Sequence, residues 1–284
     1  MTESAPRSVR DVVDDGRRRL AEAGVVQPRR EAAQLWEAVS GAPRGSTWRR
    51  GSDLAGPEAL AQFYERIERR AAGEPLAHVL GEWSFRHLDL LVTPDVLIPR
   101  PETEGLVEHL LAHVRRGRVA DLGTGSGCIA LALASEGSFQ QVIAVDASAE
   151  ALQVAAHNAA RCGISLTLLR ADFGSALGEQ ALDAIVANPP YLSEAEYAAL
   201  DASVKAFEPR LALESGTDGL RATRAVLMDA RRALRPGGWL ALEIDATRGP
   251  ASACLAHDAG FVGVTIHRDL FGRERFLLAQ RSNT

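Results

Sequence analysis

Cysteine is scarce: Cys128, Cys162 and Cys254 are widely spaced and odd in number. They offer neither a disulfide framework nor the paired spacing of a zinc site, so a reducing compartment fits and no metal is expected. Long apolar runs are missing too. None approaches the ~18–20 residues that a bilayer-spanning helix needs, and Met1 to Arg10 is polar, unlike a secretory signal. A cytoplasmic protein without membrane attachment is the expectation. Excess positive charge is also absent. Lys and Arg number 32 against 37 Asp and Glu, a net charge of -5, which argues against a broad electrostatic grip on nucleic acid. Local arginine clusters (Arg17 to Arg19, Arg49 and Arg50, Arg69 and Arg70) read as solvated helix faces and loops. No internal repeat or low-complexity tract occurs.

What is present is apolar material for a core: 46% of 284 residues, room for one large domain and a small one. The first part reads as helices. Val9, Val12, Val13 and Leu20 form a stripe stopped by Gly24; Ala32, Leu35, Trp36 and Val39 form one ending at Gly41; Leu60, Phe63, Tyr64 and Ile67 form one ending at Gly73. Short helices of this kind bury their stripes against one another, so Val9 to Ala72 is expected to be a small bundle. Val79 to Val92 suggests a β-hairpin, and the prolines of Leu97 to Thr103 prevent a helix until about Thr103. From Arg118 strands and helices alternate, which predicts a doubly wound, mostly parallel sheet. Val262 to His267 and Arg275 to Ala279 close it as an antiparallel pair at the edge. Leu192 to Gly219 is too long for a simple connection and is expected to be a lid or substrate loop.

Three motifs carry chemistry. The first is Asp121-Leu122-Gly123-Thr124-Gly125-Ser126-Gly127, where the first strand of the alternating region turns into a helix. Glycines there let a ligand approach the backbone at a helix N-terminus. Dinucleotide folds use a related turn, but here the spacing is Gly-x-Gly-x-Gly and the turn opens on an acid. A carboxylate repels a pyrophosphate and suits an ammonium group, held directly or through water. Both features favour S-adenosylmethionine. The second signal is Asp146, ending the next strand, where an acid can accept both ribose hydroxyls. Asp172 and Phe173 follow the third strand, beside the adenine: Asp172 to accept from the amino group and Phe173 to offer a ring face or edge.

The third and most informative motif is Asn188-Pro189-Pro190-Tyr191, ending the fourth strand. An amide or aromatic amine is a poor nucleophile because its lone pair is delocalised. The Asn188 side-chain oxygen and the Pro189 carbonyl can each accept one N–H, which aims the nitrogen and lets its lone pair localise. Proline stiffens those acceptors in advance, and Tyr191 can pack flat on a planar group. No strong general base is required, since the methyl donor is already activated. His109 and His113 share a helix face, but no carboxylate pattern accompanies them, and they read as solvated.

On these residues the chain resembles the PrmC/HemK family of release-factor glutamine methyltransferases, from about Arg7 to Ala279. The segments that carry the resemblance are Gly81 to Phe85, Leu97 to Glu104, Asp121 to Gly127, Asn188 to Tyr191, Phe207 to Pro209, Leu234 to Gly238 and Asp269 to Arg275. The resemblance implies a Rossmann-like class I S-adenosylmethionine-dependent methyltransferase domain at 97–284. It also implies a helical substrate-recognition domain at 1–74 and a β-hairpin linker at 75–96. The substrate it implies is the glutamine of the Gly-Gly-Gln loop in class 1 peptide chain release factors. Gly123 to Gly127, Asp146, Phe173 and Asn188 would bind the cofactor, and Asn188 to Tyr191 the glutamine amide. A monomer is expected. Two departures stand out. Asp245 and Arg248 occupy places where the family carries glycine and glutamine, and Ala77-His78 replaces Gln-Tyr. They bear on substrate docking and loop shape. The competing readings are a nucleic-acid amino-methyltransferase, which lacks a basic target-recognition domain here, and a nicotinamide oxidoreductase, which the glycine spacing opposes. A non-catalytic binding module would leave the Asn-Pro-Pro-Tyr loop without purpose.

Overall fold

The computed structural model describes residues 7–283; residues 1–6 of the expected helical domain lie outside the described residues. Two compact units are present, Met1–Gly81 and Glu82–Thr284.

The first unit packs α1 (Val9–Glu22), α2 (Pro28–Ser40), α3 (Pro57–Ala71) and the short α4 (Leu76–Leu80). Ser8 caps α1 by accepting from the Asp11 amide, and α2 and α3 each open on proline, whose missing N–H is no loss there. Val12, Leu20, Leu35, Phe63 and Ile67 are fully buried in one cluster. The sequence places Val79 in a strand; it belongs instead to α4, started after Pro75 and stopped by Gly81 at φ 77°. A five-residue apolar run fits either period, so its flanks decide. The arginine clusters are matched by acids: Arg17 bonds Asp14 at 2.8 Å, Arg18 bonds Asp15 at 3.1 Å and Arg70 bonds Glu31 at 2.6 Å.

α1 meets α3 at Gly16, where an added Cβ would lie 2.5 Å from Phe63 Cζ. Gly16→Ala is therefore expected to destabilise the chain by about 1–3 kcal/mol through overpacking. A thermal melt should show a lower midpoint, whereas helix propensity alone would raise it.

In the second unit β1 (Glu82–Phe85) and β2 (Leu88–Leu91) form an antiparallel hairpin. A 3₁₀ turn at Pro101–Thr103 leads into α5 (Glu104–His113), as the prolines dictate. There follow β3 (Arg116–Leu122), α6 (Cys128–Glu136), β4 (Ser138–Asp146), α7 (Ala149–Cys162), β5 (Thr167–Arg170) and β6 (Leu182–Ala187). Then come α8 (Glu194–Ala199), α9 (Ala202–Phe207), α10 (Arg221–Ala233), β7 (Leu234–Glu243), α11 (Gly249–Asp258), β8 (Phe261–Arg268) and β9 (Glu274–Arg281). The seven-stranded sheet runs β5-β4-β3-β6-β7-β9-β8, with β9 antiparallel to both neighbours. Strand neighbours alternate between two cores: Val119, Ala184, Val186 and Ala241 face one, Ala120, Ile185, Ala187 and Leu242 the other. Burial on both faces explains why these strands read as nearly continuous apolar runs. The chain winds outward from β3 in both directions, so β3 and β6 flank the switch point where such sheets bind ligands.

The hairpin is fastened to this sheet. Asn158 of α7 accepts from the Leu91 amide at 2.7 Å and donates to the carbonyls of Leu91 and Ser126 at 3.1 and 2.9 Å. The long connection is not irregular: it holds α8, α9 and a 3₁₀ turn at Arg210–Ala212, and is drawn together by a bridge between Leu192 and Glu214. His109 is half-buried rather than solvated, whereas His113 is exposed as the sequence suggests. His109 packs on His267 and Phe276, with ring centroids 4.5 and 5.3 Å away, and His113 stacks on Trp239 at 3.9 Å. β8 and β9 supply the rings against His109 and β7 the one against His113, which the local helical period cannot reveal.

Candidate active site

A crevice of about 660 Å³ opens at the C-terminal ends of the strands. Its walls include Gly123, Thr124, Gly125, Ser126, Asp146, Asp172, Phe173, Asn188 and Pro190, joined by Arg100, Thr103 and residues of the long connection. Most residues expected from the sequence are thus brought together. Asp121, Gly127, Pro189 and Tyr191 are not part of the walls.

The glycine turn is pinned to β4, because the Val145 carbonyl accepts from both Gly123 and Thr124 at 2.9 Å. Gly123 and Gly125 have φ of 74° and 54°, the left-handed region that favours glycine. A side chain on Gly125 would meet nothing within 4 Å. Conformation and access, not packing, therefore call for glycine there. Behind the turn Asp121 is fully buried. Its Oδ2 accepts from Thr124 Oγ1 at 2.6 Å and from the Ala130 amide at 3.1 Å, while its Oδ1 is buried with no partner. Burial pushes this carboxyl up to about 7 against the pull of those two donors. The unpartnered oxygen behind the turn calls for a donor or cation, the chemistry that an ammonium group or a water bound to one supplies.

Asp146 closes β4 with both oxygens engaged: Oδ2 accepts from the Gly125 amide and Oδ1 from the Ser148 amide, each at 2.9 Å. Each oxygen keeps a lone pair for a further donor, as a vicinal diol requires. Phe173 holds φ 43°, unusual for a bulky residue, and the next amide, Gly174, is tied to Asp229 at 3.0 Å. Its ring packs partly on the core and partly lines the crevice; Asp172 beside it is exposed.

At the other end, Asn188 Nδ2 donates to Thr103 Oγ1 at 3.2 Å, and Thr103 Oγ1 donates to Glu243 Oε2 at 2.7 Å. Tyr191 turns its hydroxyl toward Glu243 Oε1 at 3.5 Å. Burial raises the Tyr191 phenol, and the neighbouring Glu243 raises it further. Arg100 reaches across with Nη2 2.7 Å from both oxygens of the buried Glu208, fastening the segment after α9 to the crevice rim. Thr103, Glu243 and Arg100 were not singled out as site residues from the sequence. Glu243 carried a signal: it is a lone acid ending the apolar run Trp239 to Leu242.

The sheet order, the glycine turn and the acid closing β4 define a Rossmann-like, S-adenosylmethionine-dependent methyltransferase. The sequence matches the models for a methyltransferase small domain at residues 101–216 and for a PrmC N-terminal domain at residues 11–81. It is 43% identical over 280 residues to the release factor glutamine methyltransferase of Moorella thermoacetica, covering 96% of this chain and 99% of that one. It is 39% identical over 277 residues to that of Deinococcus radiodurans, again covering 96% and 99%. A methyltransferase from Pyrococcus furiosus shares the fold, with a TM-score of 0.53 at 20% identity over 77% of this chain and 98% of that one. The chain belongs to the release factor glutamine methyltransferase family. No helix among the described residues is long and apolar enough to cross a membrane.

Proposed function

We propose that this enzyme methylates the side-chain amide nitrogen, N5, of the glutamine in the Gly-Gly-Gln motif of class 1 peptide chain release factors, in the cytoplasm. The observation that carries the reading is the Asn188 carboxamide on the crevice wall. Its nitrogen is committed to Thr103, which leaves its oxygen to accept. The names of the relatives favour a release factor over nucleic acid as substrate.

In this reading the cofactor supplies an activated methyl group on a sulfonium. Asp146 would receive the ribose hydroxyls, Asp172 and Phe173 would border the adenine, and Gly123 to Gly127 with Asp121 behind them would receive the amino-acid end. The Asn188 oxygen and the Pro189 carbonyl would each accept a hydrogen bond from one N–H of the glutamine amide, which directs the nitrogen's lone pair toward the methyl carbon; as the N–C bond forms the S–C bond breaks, and the surplus amide proton leaves to solvent afterwards. Alignment in a site already shaped for it contributes most of the acceleration. Pro190 and Tyr191 hold the loop. The helical unit, expected over residues 1–74, recognises the body of the release factor. The hairpin of the expected linker 75–96 joins it to the catalytic part, 97–284.

Incubating the enzyme with methyl-labelled S-adenosylmethionine and a class 1 release factor should label the factor. Gln→Ala in its Gly-Gly-Gln loop should abolish the label, and RNA or DNA in the same mixture should stay unlabelled. Labelling that survives the glutamine change, or that appears on nucleic acid alone, would overturn the proposal.

A further inference from the structure

A carboxamide is nearly symmetric in shape, so packing alone does not decide which way Asn188 faces. One orientation presents its oxygen to the substrate amide. The other presents NH2 to NH2, donor against donor, and cannot align the nucleophile. A hydrogen-bonding partner behind the carboxamide has to choose. We infer that Thr103 and the buried Glu243 are positioning residues that set the orientation of the Asn188 carboxamide and thereby the rate of methyl transfer. The inference rests on the methyl-transfer reading given above.

The geometry makes the choice by counting protons. A threonine hydroxyl has one proton to give. Thr103 gives it to Glu243 Oε2 at 2.7 Å, so toward Asn188, 3.2 Å away, Oγ1 can only accept. That fixes Nδ2 against Thr103 and turns Oδ1 the other way. Both Thr103 and Glu243 are 2% exposed, so water does not compete for these bonds. The arrangement requires Glu243 to be ionised. A protonated carboxyl can donate to Thr103, which frees the hydroxyl to donate to Asn188 and favours the wrong orientation.

The groups facing Glu243 are Thr103, Tyr191, Arg275, Glu102 and Cys128. Burial opposes its charge most strongly and Glu102 adds to that. The Thr103 and Tyr191 hydroxyls and the Arg275 guanidinium favour the charge, and the carboxyl is pushed up to about 7. The productive form is therefore complete above that value and is lost as the pH falls through it.

The test compares wild type with Thr103→Val, Thr103→Ser and Glu243→Gln, using labelled S-adenosylmethionine and a release factor. Thr103→Val and Glu243→Gln should each lower kcat roughly tenfold to a hundredfold, the scale of losing a group that orients another. KM for the release factor and affinity for S-adenosylhomocysteine should change little. Thr103→Ser should recover most of the rate lost in Thr103→Val, which separates the hydroxyl from mere packing. The wild-type kcat should fall on the acid side near pH 7, and Glu243→Gln should remove that limb. An unaltered kcat in Thr103→Val, or an acid limb that persists unchanged in Glu243→Gln, would overturn the inference. Should wild type prefer another amide or amine acceptor, the release-factor reading alone fails, and the same variants and pH profile are read with that acceptor.

Discussion

Asn188→Ala is expected to lower kcat for release-factor methylation by roughly a hundredfold to a thousandfold, with a much smaller loss of S-adenosylhomocysteine affinity. The asymmetry follows from what the side chain does. In the proposed mechanism its oxygen meets an N–H of the substrate whose acidity rises as the methyl bond forms, so the contact would strengthen toward the transition state and appear in kcat. Asn188→Asp should not restore the rate. The aspartate has no N–H for Thr103 Oγ1, which now accepts from Nδ2 at 3.2 Å, and it sets a second carboxylate close to Glu243, whose ionisation burial already opposes. Single-turnover kinetics with saturating release factor measures the effect. A variant that keeps wild-type kcat and changes only KM would mean that Asn188 contributes uniform binding and that the amide is aligned by another group.

The strongest parts of the fold were legible because local period and tertiary role agree. β3, β4, β6 and β7 are apolar runs closed by Gly123, Asp146, Asn188 and Glu243, and their burial on both faces is what makes such runs uniform. The glycine turn was legible because φ values of 74° and 54° leave little choice of residue. Thr103 and Glu243 were harder. Their meaning lies in a bond between the start of α5 and the end of β7, far apart in sequence, which no local pattern encodes. His109 failed for the same reason, since β8 and β9 bring His267 and Phe276 to it from the far end of the chain. The departures at Asp245 and Arg248 become intelligible together. They lie 3.1 Å apart as an ion pair, and Arg248 also reaches Glu196 at 2.6 Å and the Asp218 carbonyl at 2.9 Å. The two unusual residues thus offset one another's charge, and Arg248 holds the long connection, which a residue-by-residue comparison with a family pattern does not show.

Asp146 tests the cofactor half of the site, and the informative substitution is the mildest one. Asp146→Asn preserves shape, yet both carboxylate oxygens accept backbone N–H groups, from Gly125 and from Ser148, each at 2.9 Å. A carboxamide has one acceptor and one donor, so whichever way it turns it sets NH2 against an N–H. Hydrogen bonds to charged groups contribute about 1.5–3 kcal/mol. Asp146→Asn should therefore weaken S-adenosylhomocysteine binding by roughly tenfold to a hundredfold, close to the loss in Asp146→Ala, because the glycine turn is released in both. Asp172→Ala, at an exposed position on the same crevice, should cost less. Titration calorimetry on the three variants ranks them. An Asp146→Asn protein that binds as tightly as wild type would show that neither the turn nor the ribose depends on that carboxylate, and the cofactor would have to be held by the rest of the crevice.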